Sequence, residues 1–359
     1  MERSSLPLFR RFPGLAARLP RVALTDLPTP VAPLEQLGRE RGIARLWIKR
    51  DDLTATTYGG NKPRKLEFLL GAAQAAGRRR VMTFGGIGTH HGLATTICAR
   101  AAGMRTILVL IPQPVTPHVQ RCLLLDHAYG AELHLARNVA DVVRRGLVLL
   151  ARGRLRGDVP AIIPTGGTSA LGSAGYVNAA LELAEQVAAG AIPEPDALFV
   201  PLGSGGTLAG LALGLRLGGL RTRVVGVLVT DILPPSPARL ARLARACGRR
   251  LAPDVPSVPI GPDDFDVVRD WVGPGYGSPT PAAEAARDLL ARLEGIGLET
   301  TYTAKCLAAL LHLATTPAYR DRTLLFWNTF SSVDPGAALD ALPDPRALPP
   351  AFHRFFPAS

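Results

Sequence analysis

Two stretches of the sequence share one pattern, in which a short apolar run is followed by a glycine-rich turn, a helical segment and a second apolar run. In chain order the first copy is VMTF (81–84), GGIGTHHG (85–92), a helix to about Arg100 and TILVLIP (106–112), and the second is ALFVP (197–201), GSGGT (203–207), TLAGLALGL (207–215) and RVVGVLVT (223–230). Such units build parallel sheets with ligand sites at the carboxyl ends of the strands. The pattern predicts an α/β protein with two lobes, each an open and mostly parallel sheet covered by helices.

Three further segments extend this pattern. RLWIK (45–49) is typical of a strand, NKPRKLEFLLGAAQAAG (61–77) predicts a helix with proline in its first turn, and IIPTGGTSALGSAGYVNAALELA (162–184) predicts another glycine turn and a long helix. The chain has 359 residues, which is enough for two domains with sizeable cores. The tail, residues 335–359, is rich in proline, and we expect it to wrap around the surface.

The composition argues against several classes of protein. The net charge is +12, but only four of the 41 basic residues are lysines and the arginines are dispersed, so we expect no nucleic-acid partner. The apolar runs are too short to cross a bilayer, so we expect no membrane partner. The four cysteines lack the spacing of a zinc site or a disulfide framework, which favours reduced thiols, no metal and a cytoplasmic setting. They are Cys98, Cys122, Cys247 and Cys306.

The segment GSGGT (203–207) has the features of a phosphate-binding loop. It stands where a strand leads into a helix, so that backbone N–H groups and the helix N-terminus can hold an anion, although a tight turn with no ligand is an alternative. A dinucleotide fingerprint needs a glycine where this chain has Leu208, and no glycine directly precedes a lysine as in a nucleoside triphosphatase loop. Pyridoxal phosphate remains, because it needs one phosphate cradle and one lysine.

Four lysines are candidates for the covalent attachment of that cofactor. We expect a structural ion pair for Lys49, a solvated helix face for Lys305 and an exposed position in a first helical turn for Lys65. Lys62 precedes Pro63, and the residue before proline is disfavoured in helical conformation, which predicts a place at the mouth of the loop. The residues alone prefer Lys62 over Lys65 only modestly.

Seven segments together resemble the motifs of one enzyme family. They are LPTPVAPLEQL (27–37), KRDDLTATTYGGNKPRKLEFLL (49–70), GGIGTHH (85–91), PTGGTSALGSAGYVNAALEL (164–183), GSGGT (203–207), VGPGYG (272–277) and LETTYTAKC (298–306). The family comprises the pyridoxal-phosphate enzymes that include D-cysteine desulfhydrase and 1-aminocyclopropane-1-carboxylate deaminase. The resemblance runs from about Leu19 to about Val333.

This resemblance implies a two-lobed, tryptophan-synthase β-like fold, known as fold type II, with pyridoxal 5'-phosphate between the lobes. Residues 1–63 and 171–359 would form the larger, cofactor-binding domain, and residues 64–170 the smaller inserted α/β domain. The resemblance also implies a homodimer and a small amino acid as substrate.

Roles for individual residues around the cofactor follow from the same resemblance. Lys62 would form the Schiff base with the cofactor and act in catalysis, while Lys65 would be structural. Asn61 would help to seat the cofactor, and Thr329 would lie near its pyridine nitrogen. The phosphate loop would consist of Gly203, Ser204, Gly205, Gly206 and Thr207.

The resemblance implies a second set of residues on the substrate side. In the family a serine followed by an asparagine meets the substrate carboxylate and the pyridoxal oxygen, and here those places hold Thr89 and His90. The helix N-terminus from Thr89 to His91 would bind the carboxylate through its N–H groups. Tyr276 and Tyr302 match tyrosines that face the substrate, and we expect both to act in catalysis. A metal site at His90 and His91 is not expected, because adjacent side chains diverge on a helix.

Departures from the family pattern bear on the reaction. His90 replaces an amide by an imidazole, whose protonation varies near neutral pH. Residues 328–331 read Asn-Thr-Phe-Ser where relatives have His-Thr-Gly-Gly or His-Leu-Gly-Gly, so Phe330 should reshape the pocket. Deaminases of the cyclopropane substrate resemble each other in having glutamate and leucine where this chain has Thr303 and Thr329. Both threonines favour the desulfhydrase side.

The reaction expected is therefore an α,β-elimination on D-cysteine or a related β-substituted amino acid, giving pyruvate, ammonia and the leaving group. The alternatives on the same cofactor are cyclopropane-ring deamination and other lyase, racemase or β-replacement reactions. An alternative of another class is a relative without catalysis that binds pyridoxal phosphate or an amino acid.

Overall fold

The computed structural model of the protein describes residues 6–232 and 234–356. Two compact units are present. Among the described residues, the larger consists of residues 6–18, Thr25–Lys65 and Thr168–Ser332, and the smaller of Leu19–Leu24, Leu66–Gly167 and residues 333–356. Each unit contains one open sheet and its own helices, so the predicted α/β class with two sheets is confirmed.

Ten strands form within the described residues. They are β1 (Val31–Pro33), β2 (Leu46–Lys49), β3 (Arg80–Gly86), β4 (Arg105–Ile111), β5 (Glu132–Leu135), β6 (Ala161–Ile162), β7 (Ala197–Leu202), β8 (Arg223–Leu228), β9 (Phe265–Val268) and β10 (Leu324–Trp327). The sheet of the larger unit has the order β1-β2-β10-β7-β8-β9, and only the β1 pairing is antiparallel. The sheet of the smaller unit has the order β5-β4-β3-β6 and is parallel throughout.

The same part of the chain contains twelve α-helices. They are α1 (Pro7–Arg11), α2 (Leu15–Arg18), α3 (Glu35–Arg41), α4 (Asn61–Ala75), α5 (His90–Ala101), α6 (Pro117–Ala128), α7 (Val139–Leu155), α8 (Ala170–Ala188), α9 (Gly206–Gly218), α10 (Pro237–Leu251), α11 (Pro281–Glu294) and α12 (Thr303–Leu313). Short 3-10 turns occur at Asp51–Leu53, Thr165–Gly167, Pro262–Asp264, Pro335–Ala338, Pro345–Ala347 and Pro350–Phe355. None of the helices that the structure describes is long and apolar enough to span a membrane.

Every strand and helix that the glycine-turn pattern predicts is present. The apolar runs of that pattern are strands whose side chains are buried. The central strands β4 and β7 are buried along nearly their whole length, as expected for a parallel sheet covered on both faces. The small residues of α9 let it pack closely on α8. A Cβ atom at Gly210 would lie 2.4 Å from Ser173 O, and one at Gly214 would lie 2.6 Å from Ala180 Cβ. This close packing fixes where α9 begins, directly after the GSGGT loop.

The C-terminal tail belongs to the smaller unit, which differs from the expected division of the chain into domains. Leu348, Phe352 and Phe355 are buried in one apolar cluster with Leu108 and Leu110 of β4. The proline-rich tail therefore contributes to a core as well as covering the surface, because its apolar side chains remove area from water. Residues 357–359 of this tail lie outside the described residues.

The segment Leu19–Leu24 also joins the smaller unit, although the sequence-based division places it in the larger domain. Val22 N donates to Glu67 O (3.0 Å), and the Arg21 side chain, which is 5% exposed, forms a paired hydrogen bond with the Glu67 carboxylate (2.7 and 3.0 Å). An arginine and a carboxylate can form two parallel hydrogen bonds, which fix their relative orientation. These bonds hold the segment Leu19–Leu24 against Glu67 of α4, which belongs to the smaller unit.

Asp126 is a buried acid of the smaller unit that makes stability depend on pH. Thr96 Oγ1 donates to its Oδ1 (3.1 Å), while Oδ2 has no hydrogen-bond partner among the described residues. Burial raises the pKa of Asp126 well above its ordinary value. A raised carboxyl pKa stabilises the fold below the unfolded-state pKa, and this stabilisation is lost as the pH rises through the folded-state pKa.

We therefore expect Asp126→Asn to increase the free energy of unfolding at neutral pH by on the order of 1–3 kcal/mol. The gain should disappear below about pH 4, where aspartate is protonated in the unfolded chain as well. Urea denaturation of both proteins across this pH range measures the difference. A gain of the same size at every pH would contradict the titration of Asp126 as its cause.

Candidate active site

Lys62 is the second residue of α4, which begins at Asn61. The expectation that Pro63 would place Lys62 outside the helix is therefore wrong, and Lys65 belongs to the same helix. Proline at the third helical position is tolerated, because the first-turn N–H groups have no acceptor within the helix. The side chain of Lys62 thus projects from a regular helical turn, which restricts its orientation more than a loop would.

The amines of Lys62 and Lys65 differ more in access than in basicity. Burial lowers the pKa of Lys62 to about 8 against the opposing effect of the Glu299 carboxylate, and burial together with the nearby Lys62 lowers the pKa of Lys65 to about 7. Lys62 is half-buried and donates from Nζ to Asn61 Oδ1 (2.6 Å). Lys65 is only 3% exposed, contrary to expectation, and its Nζ lies 5.9 Å from the Tyr176 ring. Of these two amines, Lys62 is the more accessible to a ligand.

The other two lysines have structural partners. Lys49 forms the expected ion pair, with its Nζ 2.6 Å from Glu182 Oε1. Lys305 was expected on a solvated face, but its side chain is buried and Nζ donates to Val272 O (2.5 Å). The apolar sequence around Lys305, AKCLAALL, could have indicated this burial, because α12 is apolar on nearly all sides.

The first turn of α4 is anchored by a buried cluster of two cations and two anions. Its members are Lys49, Asp51, Arg64 and Glu182, and each is at most 1% exposed. Arg64 donates to Asp51 Oδ1 and Oδ2 (2.7 and 3.0 Å) and to Glu182 Oε1 and Oε2 (3.0 Å each). Asp51 Oδ2 also accepts from Tyr176 Oη (2.8 Å) and from Trp327 Nε1 (2.7 Å). The cluster connects α4 to β2, α8 and β10. Its member on α4 is Arg64, two residues after Lys62.

The backbone just before Lys62 is held at the carboxyl end of β10. Asn61 N donates to Thr329 O (3.2 Å). Gly60 has a φ of 83°, and a Cβ atom there would lie 2.7 Å from Thr329 O and 3.0 Å from Phe330 O. Asn328 is fully buried, and its Nδ2 has no hydrogen-bond partner among the described residues. The structure thus brings Thr329, the predicted neighbour of the pyridine nitrogen, to the turn that carries Lys62.

The loop from Gly203 to Thr207 ends at the N-terminus of α9. Gly205 has a φ of 92°, which favours glycine, and within the described residues no side chain caps this helix. A Cβ atom at Gly206 would lie 2.9 Å from Thr168 Oγ1. Thr168 Oγ1 lies 2.6 Å from Ser204 Oγ, and Asn61 Nδ2 donates to Thr207 Oγ1 (3.3 Å). The turn that carries Lys62 is therefore in contact with the predicted phosphate loop.

Tyr276 and Tyr302 share a hydrogen bond between their hydroxyl groups. Their rings meet edge to face, with centroids 5.9 Å apart. Burial, with Tyr276 and Glu299 adding to the effect, raises the pKa of Tyr302 well above its ordinary value. Glu299 Oε1 accepts from the backbone N–H groups of Tyr302 (3.0 Å) and Thr303 (2.7 Å), which positions Tyr302 at the start of α12. The two predicted tyrosines are therefore hydrogen-bonded to each other, and both hydroxyl groups stay protonated.

The smaller unit contains the predicted substrate loop at the N-terminus of α5. Thr89 caps the helix, and its Oγ1 accepts from Gly92 N (3.3 Å). The His91 side chain points away from this terminus, because its Nε2 lies 3.0 Å from Thr83 Oγ1 and it is only 5% exposed. Thr83 itself donates to Ile163 O (2.8 Å), so Nε2 of His91 carries the proton of that hydrogen bond. The His91 imidazole is therefore engaged with Thr83 of β3.

His118 is a residue whose place at this site the sequence does not predict. Its ring stacks on His90, with ring centroids 4.8 Å apart, and its Nε2 lies 3.4 Å from Cys122 Sγ. The two histidines are 28 positions apart in the chain, and no local motif links them. The stacking brings the His118 ring next to His90 at the start of α5.

Comparison with known proteins identifies the family of this chain. The sequence model of one family, described as "Pyridoxal-phosphate dependent enzyme", matches residues 22–329. The chain belongs to this family. Its cofactor is accordingly pyridoxal phosphate, and the predicted family and fold type are confirmed.

Among relatives within this pyridoxal-phosphate dependent family, the D-cysteine desulfhydrase of Klebsiella pneumoniae (strain 342) is 33% identical over 318 residues, which cover 87% of this chain and 94% of the relative. The D-cysteine desulfhydrase of Salmonella paratyphi C (strain RKS4594) is 34% identical over 299 residues, covering 82% and 88%. A solved structure described as an ACC deaminase homologue is 31% identical, with a TM-score of 0.76 and coverage of 90% of this chain and 94% of the other.

A more distant structure supports the fold alone. The processed form of threonine deaminase isoform 2 from Solanum lycopersicum is 16% identical, with a TM-score of 0.62 and coverage of 91% of this chain and 85% of the other.

The residues of the larger unit fit the pyridoxal phosphate that the family implies. A helix N-terminus without a side-chain cap suits its phosphate, and an accessible amine with a lowered pKa suits covalent attachment to its aldehyde. The buried Asn328 Nδ2 is a donor for which the described residues supply no acceptor. The described residues contain no group of three or more His, Cys, Asp or Glu side chains placed to hold a metal ion.

Proposed function

We propose that this pyridoxal-phosphate dependent enzyme catalyses α,β-elimination on a small β-substituted amino acid, with D-cysteine or a close analogue as substrate. With D-cysteine and one water, the products are pyruvate, ammonia and hydrogen sulfide. The observation that carries the proposal is the accessible Lys62 amine, whose pKa is about 8, beside a glycine loop that fits phosphate. The D-cysteine desulfhydrase relatives, 33–34% identical over most of the chain, support this choice of substrate.

Lys62 is proposed to carry the cofactor and to transfer the Cα proton. When bound, pyridoxal phosphate supplies an electron sink that weakens the Cα–H bond of the amino acid. A pKa of about 8 leaves part of the Lys62 population neutral near physiological pH, and a neutral amine can accept that proton at Nζ. Asn61 Oδ1, which accepts from Lys62 Nζ, orients the amine.

Tyr302 and Tyr276 are proposed to supply a proton to the departing sulfur. The raised pKa of Tyr302 keeps its hydroxyl protonated, and the hydrogen bond to Tyr276 gives a path by which that proton is replaced from the more exposed partner. Thiolate is a good leaving group, so one positioned donor is sufficient. Thr303, which follows Tyr302, is held by Glu299 and keeps a neutral side chain there.

The GSGGT loop and its neighbours are proposed to fix the cofactor. The N-terminus of α9 and the backbone of residues 203–207 would bind its phosphate, with Ser204 and Thr207 adding hydroxyl groups. Asn61 and Thr329 would contact its ring. Asn61 Nδ2 already touches Thr207, so the amine and the phosphate site are held in one network.

In the smaller unit, we propose that the N-terminus of α5 binds the substrate carboxylate. Thr89 supplies the cap, and the backbone N–H groups of His90 and His91 belong to the first turn, where a helix favours anions. The imidazole of His90 is proposed to contact the cofactor, with His118 stacked behind it.

Ring-opening deamination of 1-aminocyclopropane-1-carboxylate is the second candidate reaction, favoured by the structure described as an ACC deaminase homologue. A panel of D- and L-amino acids, together with the cyclopropane substrate, distinguishes the two by product. Elimination from D-cysteine yields pyruvate and sulfide in equal amounts, whereas ring opening yields a keto acid one carbon longer and no sulfide. If no β-substituted amino acid gives a keto acid, the elimination proposal fails.

A cytoplasmic setting and a homodimer complete the proposal. The four cysteines are free and buried, as expected for a protein that functions without disulfides. Dimerisation is implied by the resemblance to the family. Light scattering of the purified holoenzyme measures its mass directly.

A further inference from the structure

Tyr276 lies on a segment that has few anchors of its own. This segment, VGPGYG (272–277), lies between β9 and α11 and belongs to neither. Gly273 and Gly277 have φ angles of 72° and 82°, which favour glycine, and glycine leaves an unanchored backbone free to adopt many conformations. In the part of the chain that the structure describes, two hydrogen bonds join the backbone of this segment to other elements. They use Val272 O and Tyr276 N.

These two hydrogen bonds hold the segment at both ends. Lys305 Nζ donates to Val272 O (2.5 Å), and Asp231 Oδ1 accepts from Tyr276 N (3.1 Å). Lys305 is fully buried in the first turn of α12, whereas Asp231 is exposed after the end of β8. Because α12 starts directly after Tyr302, Lys305 fixes one end of the segment relative to the second tyrosine.

The charges around Lys305 are arranged symmetrically with respect to the two tyrosines. Both oxygens of the Glu299 carboxylate accept from Tyr302 N (3.0 and 3.1 Å), so the backbone N–H of each tyrosine is held by one carboxylate. Burial lowers the pKa of Lys305, and the Glu299 and Asp231 carboxylates oppose this effect. Lys305 is therefore a cation in the field of both carboxylates, which favours its charged form as the donor to Val272 O.

We propose that Lys305 is a positioning residue, which holds Tyr276 in place through Val272 O. The hydroxyl of Tyr276 is thereby kept against that of Tyr302. Asp231 completes the anchor at the other end of the segment. This inference rests on the function proposed above, in which the tyrosine pair supplies a proton to the departing sulfur. A displacement of the pair by about 1 Å would be sufficient to lower the rate by about 10²-fold.

Lys305→Met tests this role, because methionine is also unbranched and has no donor. We expect it to lower kcat for elimination from D-cysteine by roughly 10–100-fold, with a smaller change in KM. Tyr276→Phe should cause a similar loss. The two losses should not multiply in the double variant, since both substitutions remove the same hydroxyl from its place. Losses that multiply would overturn an action of Lys305 through Tyr276.

The leaving group separates positioning from a general loss of structure. Chloride departs without a proton, whereas a departing thiolate gains from a positioned donor. Lys305→Met should therefore reduce the rate with β-chloro-D-alanine much less than the rate with D-cysteine. An equal loss with the two substrates would indicate a structural defect alone and overturn the proposal.

Asp231→Ala is a second variant, and it should fold because Asp231 is exposed. It should reproduce the selective loss with D-cysteine. Asp231→Asn keeps an oxygen that can accept from Tyr276 N, so it should restore most of the rate. Asp270→Ala, at an exposed aspartate just before the segment, is the matched control and should leave both rates unchanged. A rate for Asp231→Asn as low as that for Asp231→Ala would contradict the anchor at Tyr276 N.

A measurement on the apoprotein separates this inference from the proposed reaction. With 3-fluorotyrosine incorporated, fluorine NMR reports the surroundings of each ring, and Tyr276→Phe and Tyr302→Phe assign the two signals of the pair. Lys305→Met should shift both signals and leave that of Tyr129 unchanged. If the wild-type holoenzyme forms no keto acid while these shifts are seen, the proposed reaction fails and the positioning role stands. Signals that Lys305→Met does not move would overturn the positioning role, whatever the reaction.

Discussion

Lys62→Ala is expected to eliminate covalent attachment of pyridoxal phosphate and to reduce kcat by roughly 10²–10⁴-fold or more, the range lost when a positioned acid–base group is removed. Lys62 is the more accessible of the two amines in the first turns of α4, and its pKa of about 8 suits both attachment and proton transfer. Borohydride makes the bond between the cofactor and the lysine permanent. Peptide mapping of the reduced holoenzyme should then find the label on Lys62.

Lys65→Met is the matched control, because Lys65 lies three residues further along the same helix and also has a lowered pKa, of about 7. It should keep the label on Lys62 and change mainly stability, since the buried Lys65 amine faces the Tyr176 ring. A label on Lys65, or attachment that survives Lys62→Ala, would contradict the assignment. The apoenzyme offers a second measurement. Its rate of combination with the cofactor should rise with pH through about 8, where Lys62 becomes neutral.

The parts of the fold and site that the sequence predicts are those determined by neighbours in the chain. The glycine turns, the strands around them and the first turn of α4 follow from local periodicity and backbone preference, and all are present. The assignment of Lys62 stays a prediction, and the structure gives it a different physical basis. Pro63 was expected to separate Lys62 from the helix, whereas the structure separates it from Lys65 by access to solvent.

The parts that the sequence does not predict depend on contacts between distant segments. Trp327 donates to Asp51 across 276 positions, and the helix α5 and the strand β4 lie between the stacked residues His90 and His118 in the chain. The apolar sequence around Lys305 indicates a buried helix, but it does not identify the Val272 carbonyl oxygen that accepts a hydrogen bond from the Lys305 amine. Partners of this kind are set by the packing of elements, and no local pattern specifies them.

Arg64→Met is expected to lower the free energy of unfolding by about 3–5 kcal/mol, because it leaves two buried carboxylates with a single cation. Arg64 makes paired hydrogen bonds to both Asp51 and Glu182, and together with Lys49 it lowers the pKa of Glu182 to about 2, although burial alone would raise it. Urea denaturation followed by tryptophan fluorescence measures the loss, since Trp327 is hydrogen-bonded to Asp51. Arg223→Met, at an exposed ion pair with Asp266, should cost at most about 1 kcal/mol.

A second substitution separates charge balance from packing at this cluster. Arg64→Met combined with Glu182→Gln restores one cation to one anion, so the double variant should be less destabilised than the sum of the two single variants by about 1–3 kcal/mol. Additive losses would indicate that Arg64 acts only by filling space. Because Arg64 lies two residues after Lys62 on the first turn of α4, both Arg64 variants should also weaken the visible circular dichroism of the bound cofactor. Arg223→Met, remote from that turn, should leave this signal unchanged. This difference between the variants would show that the buried cluster affects the orientation of Lys62 as well as stability.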